Sequence, residues 1–265
     1  MTNNEEKIKD IQSDSLKNLS DKDMLFLIES FATRRTDYEN IADLVRGDED
    51  IISKMMDSDR VFDKIMDRKK QFLEISPYFL FSLLLRKTFR EKRENQRFID
   101  MAIGLLNSPE PLIPWNEKRL FDLLDDVHIS NYIANMLAQF TRSSGLFKVR
   151  ESDKETSHYI VDMVEDSLRS DNIRKYYIYC HIGDYTLFLT GMIPEYVKYR
   201  FEQKRRPVDR NYYVNFGKAY YNLASGTSNA RKNRLSDTLS QLSEGFEVVA
   251  EIIHVMNKKY FTFNT

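Results

Sequence analysis

Apolar residues recur at separations of three and four along almost the whole chain, the spacing of one face of an α-helix rather than the alternation of a strand. Between positions 48 and 75 they fall at Ile51, Ile52, Met55, Met56, Val61, Phe62, Ile65 and Met66, which predicts one long helix or two short ones. Start and stop signals fit the same reading. Ser20 stands three residues before Asp23 and Thr36 three before Glu39, both of capping-box type, and predict helices over 21–34 and 37–46, the second closed by Gly47. Ser76 followed by Pro77 opens a strongly buried helix that runs to about Arg90. A helix over 94–107 ends before three prolines at 109, 111 and 114. Asn116 caps a predicted helix through Phe140, and the stretch from Leu146 to Arg150 reads as a short strand. Five further helices are expected at 156–169, 172–191, 194–205, 209–225 and from 230 to about 260, the last interrupted at Gly245.

The expected fold is therefore all-α, a multi-helix array of antiparallel helical hairpins. The proline segment 108–115 is the strongest break in periodicity. It divides a helical subdomain at 20–108 from one at 116–265, or marks a bend in one continuous domain, with 1–19 a polar tail or frayed helix.

Composition narrows the function classes. The chain has 265 residues, of which 42% are hydrophobic, enough for a substantial core. Forty Lys and Arg against 41 Asp and Glu leave a formal charge of −1, so no global field draws it to nucleic acid or anionic lipid. The single cysteine, Cys180, excludes an intrachain disulfide and a zinc site built from several thiolates. No apolar run approaches the roughly 20 residues of a membrane span, and the first residues lack the pattern of a secretory signal. A cytoplasmic location is the resulting expectation.

The chain also echoes itself. Tyr179, Ile182 and Gly183 align without gaps on Tyr213, Phe216 and Gly217, at an offset of 34 residues. A repeat of aromatic, apolar and glycine at this period resembles the first helix of a tetratricopeptide repeat, and Tyr213, Phe216, Gly217 and Tyr220 match that half of its pattern. Tyr199 and Pro207 stand where such a repeat carries an aromatic in its second helix and a closing proline. The resemblance covers residues 176–224. It implies a partly solenoid-like C-terminal half, with each glycine letting the second helix of a hairpin lie close against the first. It also implies a peptide-binding groove lined by Tyr177, Asp184 and Phe188 and then by Asn211, Lys218 and Asn222.

Two other constellations carry possible chemistry. Asp125 with His128, Glu155 with His158 and Glu251 with His254 each place an acid and an imidazole three residues apart, and His181 with Asp184 does so in reverse. Helical di-metal oxidases and oxygenases use such pairs to hold iron or manganese, although the same spacing serves as a surface ion pair. The segment from Lys198 to Arg210 mixes Lys198, Arg205 and Arg206 with Tyr199, Phe201, Tyr212 and Tyr213, a composition that binds phosphates and stacks bases. The chain has no phosphate-binding glycine loop, nucleophile elbow or dinucleotide fingerprint. The leading expectation is a non-enzymatic protein that engages a protein or peptide through a helical groove, with no cofactor. A di-metal oxidase and a nucleic-acid-associated protein are the alternatives.

Overall fold

The computed structural model describes residues 16–31, 41, 45, 47–67, 75–150, 152–153, 159–203 and 208–261. Among the described residues every regular element is helical: one short 3-10 turn, Leu16–Asn18, and 15 α-helices. The predicted helix over 37–46 falls mostly on residues outside the described ones.

The first helix, α1 (Asp21–Phe31), begins as its capping box dictates. The Asp23 amide donates to Ser20 Oγ at 3.2 Å, and the Ser20 amide donates to Asp23 Oδ2 at 2.8 Å. Asp23 is buried and does more than close its own helix. It also accepts from the Ser76 amide at 2.8 Å and from the Ser76 hydroxyl at 2.6 Å, while that hydroxyl caps the helix starting at Pro77. One carboxylate thus fixes the starts of two helices.

Helices α2 (Glu49–Met56) and α3 (Asp59–Asp67) are separate, because Ser58 turns the chain and its hydroxyl accepts from the Arg60 amide at 3.3 Å. Helix α4 (Pro77–Arg93) is the long buried one, and α5 (Gln96–Leu106) follows after an Asn95 cap. The proline segment is clamped at its base, where Asn107 accepts from the Trp115 amide at 2.8 Å and donates to the Trp115 carbonyl at 2.9 Å.

The helix expected over 116–140 is two helices, α6 (Glu117–Asp125) and α7 (Val127–Phe140). Asp126 between them is extended (φ −74°, ψ 106°), and its carboxylate caps α7 by accepting from the His128 amide at 2.8 Å. The strand expected at 146–150 does not form. Leu146 and Phe147 end a short helix, α8 (Ser143–Phe147), closed by the Lys148 amide on the Ser144 carbonyl at 3.0 Å. The remaining elements are α9 (Ile160–Arg169), α10 (Asn172–Gly191), α11 (Pro194–Gln203), α12 (Arg210–Ser225), α13 (Ser228–Lys232), α14 (Ser236–Glu244) and α15 (Phe246–Tyr260). The helix expected from 230 to about 260 is thus broken not only at Gly245 but also at 233–235, where Arg234 takes a left-handed backbone conformation (φ 58°). Gly245 separates the last two.

One hydrophobic cluster runs from Leu16 to Met256 and takes in α4, α7, α14 and α15. A second, smaller cluster gathers Val149, Ile160, Met163, Val197 and Tyr213. Helix α10 lies between them. Its Tyr176, Cys180 and Leu187 enter the large cluster, whereas Ile178, Ile182, Tyr185 and Leu189 enter the small one. Such a helix has no solvent face along most of its length, so its polar residues must be satisfied internally. Thr186 and Thr190 achieve this by donating to carbonyls of their own helix at 2.8 Å.

Helix α10 packs most extensively on α12. The glycines of the sequence echo are the reason these two helices approach so closely. A Cβ on Gly183 would lie 2.6 Å from the ring of Tyr221 on α12. A Cβ on Gly217 would overlap the ring of Phe246 on α15 and sit 2.6 Å from Thr186 Oγ1 on α10. Gly183 therefore makes room for α12 and not for α11, the next helix along the chain, which the sequence echo would have it approach. The reason is that its Cα hydrogens face the large core.

Candidate functional site

The acid-histidine spacing brought attention to α10, and the structure places its two members in different surroundings. Asp184 is buried where α7, α10 and α12 meet. Tyr132 of α7 donates to its Oδ1 at 2.9 Å, and Tyr221 of α12 donates to the same oxygen at 2.8 Å. Burial pushes the Asp184 carboxyl up to about 7, and the two hydroxyls, which favour the anion, offset only part of that. Tyr132 and Tyr221 are driven well above the ordinary tyrosine range, first by burial and then by the neighbouring carboxylate. His181, one turn earlier, turns instead toward the Phe140 ring at 5.8 Å and the backbone of Leu146. Burial lowers its imidazole to about 4, and its Nε2 has no hydrogen-bond partner.

The other expected metal ligands do not join them. Asp125 is exposed and pairs with Arg93 at 3.3 Å, and the His128 side chain is exposed. His254 Nε2 lies 3.8 Å from Glu195 rather than on its sequence neighbour Glu251. Glu155 and His158 lie outside the described residues. Among the described residues no group of three or more His, Cys, Asp or Glu side chains is arranged to hold a metal ion.

The groove implied by the repeat resemblance is not a continuous open face. Asp184 is buried, Phe188 packs edge-on against Phe140 at 5.4 Å, and Tyr177 is half-buried with the Arg150 guanidinium 4.3 Å over its ring. Lys218 is drawn toward α15, where it pairs with Glu247 at 3.0 Å. Asn211 and Asn222 are exposed.

The open surface with the strongest chemistry lies on the other side of α12. Tyr212, Phe216 and Tyr220 are spaced four residues apart and so align along one stripe. Tyr212 and Phe216 approach to 4.5 Å between ring centroids, and Phe216 and Tyr220 lie nearly parallel at 5.8 Å. Tyr179 of α10 extends the row, with its ring 5.6 Å from that of Tyr220. All four rings are half-buried, so each keeps part of its face in water. Tyr185 and Tyr213 link this row to α11, because Tyr213 packs on Tyr212 at 5.4 Å and Tyr185 feels Tyr213, Arg200 and Tyr196 electrostatically.

Helix α11 adds three more aromatics. Of its described side chains only Val197 is buried, while Tyr196, Tyr199 and Phe201 are 46%, 52% and 45% exposed. Arg200 lies 5.4 Å over the Tyr196 ring, and Lys198 pairs loosely with Glu202 at 3.8 Å. Arg205 and Arg206 lie outside the described residues. The sequence reading held most of this surface in two separate guises, Tyr179, Phe216 and Tyr220 as a packing pattern and Tyr199, Phe201 and Tyr212 as aromatics near basic residues or at repeat positions, and it missed Tyr196. It missed Tyr132 and Tyr221 as partners of Asp184. Nothing local to Tyr132 signals that role, since its partner lies 52 residues away.

Comparison with known proteins finds no matching family model, no matching curated protein and no matching solved structure. No helix among the described residues is long and apolar enough to cross a membrane.

Proposed function

We propose that this protein binds a protein or peptide partner through the aromatic face of α11 and α12. The observation that carries the reading is the row of half-exposed rings from Tyr212 through Phe216 and Tyr220 to Tyr179, continued by three exposed aromatics on a helix that one buried side chain anchors. Rings left partly in water retain apolar surface whose removal from solvent favours association. Tyrosine and arginine are also the residue types that concentrate binding energy in protein interfaces, since they contribute large contact area and a polar tip. Arg200, Lys198 and Arg210 around the rings favour a partner segment that is apolar with acidic flanks.

Photo-crosslinking in the native cell tests this. A benzophenone amino acid at Tyr199 or Tyr220 is expected to capture the same discrete protein, which a probe at exposed Lys118 on α6 does not capture and which Phe216→Ala releases. Adducts at Tyr199 and Tyr220 no different from those at Lys118 would overturn the assignment. Capture of nucleic acid, weakening steeply as salt rises, would transfer the surface to the nucleic-acid reading.

A further inference from the structure

The buried Asp184 takes no part in the surface proposed above. A carboxylate in a protein interior normally faces a cation or a full set of donors, because an isolated buried charge is among the costliest groups a fold can hold. Asp184 faces neither. From α7 it meets Tyr132, from α12 Tyr221, and on α10 itself Cys180 and Tyr176 lie one and two turns before it. The nearest imidazole, His181, is turned toward Phe140 and Leu146. The nearest cation on α12, Lys218, is paired with Glu247 of α15. From α15, Phe246 closes the far side of Tyr221, with ring centroids 6.2 Å apart. The cheapest way to neutralise such a group is a proton.

The structure assigns Asp184 as the proton-binding group of a pH-sensitive junction of α7, α10 and α12, at which ionising the buried carboxyl costs the fold stability although the two tyrosine hydroxyls bond the anion more strongly. On α12, Tyr221 reaches Asp184 while its neighbour Tyr220 belongs to the outward aromatic row. The sign follows from linkage. In the folded chain the proton is held up to about pH 7, whereas an unfolded chain releases it near the ordinary aspartate value of 3.8. Across that window the carboxyl is protonated in the folded chain and ionised in the unfolded one, so its contribution to stability is greatest at the acid end, falls as pH rises toward 7, and is constant above it.

The test uses the full chain, melted at pH values from about 5 to about 8.5, a range that covers the upper part of the window and the plateau above it. Because buried His181 contributes the opposite slope below its ordinary value of 6.5, the reading is the difference between two proteins: Asp184→Asn, which keeps an acceptor for both hydroxyls but cannot ionise, is expected to gain thermal stability relative to the wild type steadily as pH rises toward 7. Tyr221→Phe deletes a donor that favours the anion, so it is expected to move the end of the slope to higher pH. An Asp184→Asn protein that keeps the wild-type slope would overturn the assignment. Infrared difference spectra of the wild type decide the matter without any variant: the carbonyl stretch of a buried carboxylic acid must be present at pH 6 and vanish as pH rises through about 7. Absence of that band at pH 6 defeats the proposal whatever the variants do.

Discussion

Arg86 and Asp184 are two ionisable side chains buried in the core, and the fold handles them in opposite ways. Arg86 of α4 is almost fully buried, yet both terminal nitrogens of its guanidinium meet acceptors: Ser53 Oγ at 2.9 Å, Asp57 Oδ1 at 3.1 Å and Asn131 Oδ1 at 3.0 Å. Asp184 of α10 has two tyrosine hydroxyls and no cation. Helix α7 serves both, because Asn131 points to Arg86 and the next residue, Tyr132, to Asp184. An arginine cannot give up its proton inside a protein, so it must be supplied with acceptors. An aspartate can take a proton, so it can be left with weak partners, and the choice makes its region responsive to pH.

The largest effect is expected at the fixed charge. Arg86→Met leaves the Asn131 oxygen buried without its donor and Asp57 without its cation, and should cost on the order of 3 kcal/mol in urea unfolding. Because Arg86 stays charged throughout, that loss should be nearly the same at pH 6 and pH 8, and a strong pH dependence would erase the contrast with Asp184. Gly183→Ala places a methyl group against the Tyr221 ring and should destabilise by about 2 kcal/mol, with Gly217→Ala similar. Full thermal stability in both variants would show that α10 and α12 do not need their close approach. Tyr132→Phe removes one of the two hydroxyls on Asp184 and should cost about 1 kcal/mol at pH 8, where the carboxylate is charged, and less at pH 6. Smallest of all, Glu202→Gln breaks only the exposed pair with Lys198, and its melting temperature should not differ measurably from the wild type.

Those contrasts also show what sequence could and could not reveal. Local signals were legible because their physics is local. The Ser20 and Asp23 capping box, the Ser76 cap before Pro77 and the break at Gly245 all appear where spacing places them. The echo at 34 residues singled out Gly183 and Gly217, and both are close-approach positions, whereas Gly104, outside the echo, has open space around it. It misjudged which helix approaches, since periodicity describes one helix and not its neighbour. The break at Asp126 was hidden in the run from Asn116 to Phe140, where the apolar spacing continues across the cap. The surroundings of His181 and Asp184 were not legible either. Two residues one turn apart look like a pair on a helical wheel, yet each is claimed by a different neighbour from distant parts of the chain.

The position of α10 between two hydrophobic clusters has a kinetic meaning as well. A helix enclosed on both sides cannot open alone, so its central amides, from about Ile178 to Leu189, should exchange with deuterium only when the whole chain unfolds. Helix α11, attached to the core through Val197, should exchange by local opening long before that. The aromatic face then joins a fast-breathing helix to one braced by the slowest-exchanging segment of the molecule. A ligand seated across it would be recognised on a firm floor by a wall that can adjust.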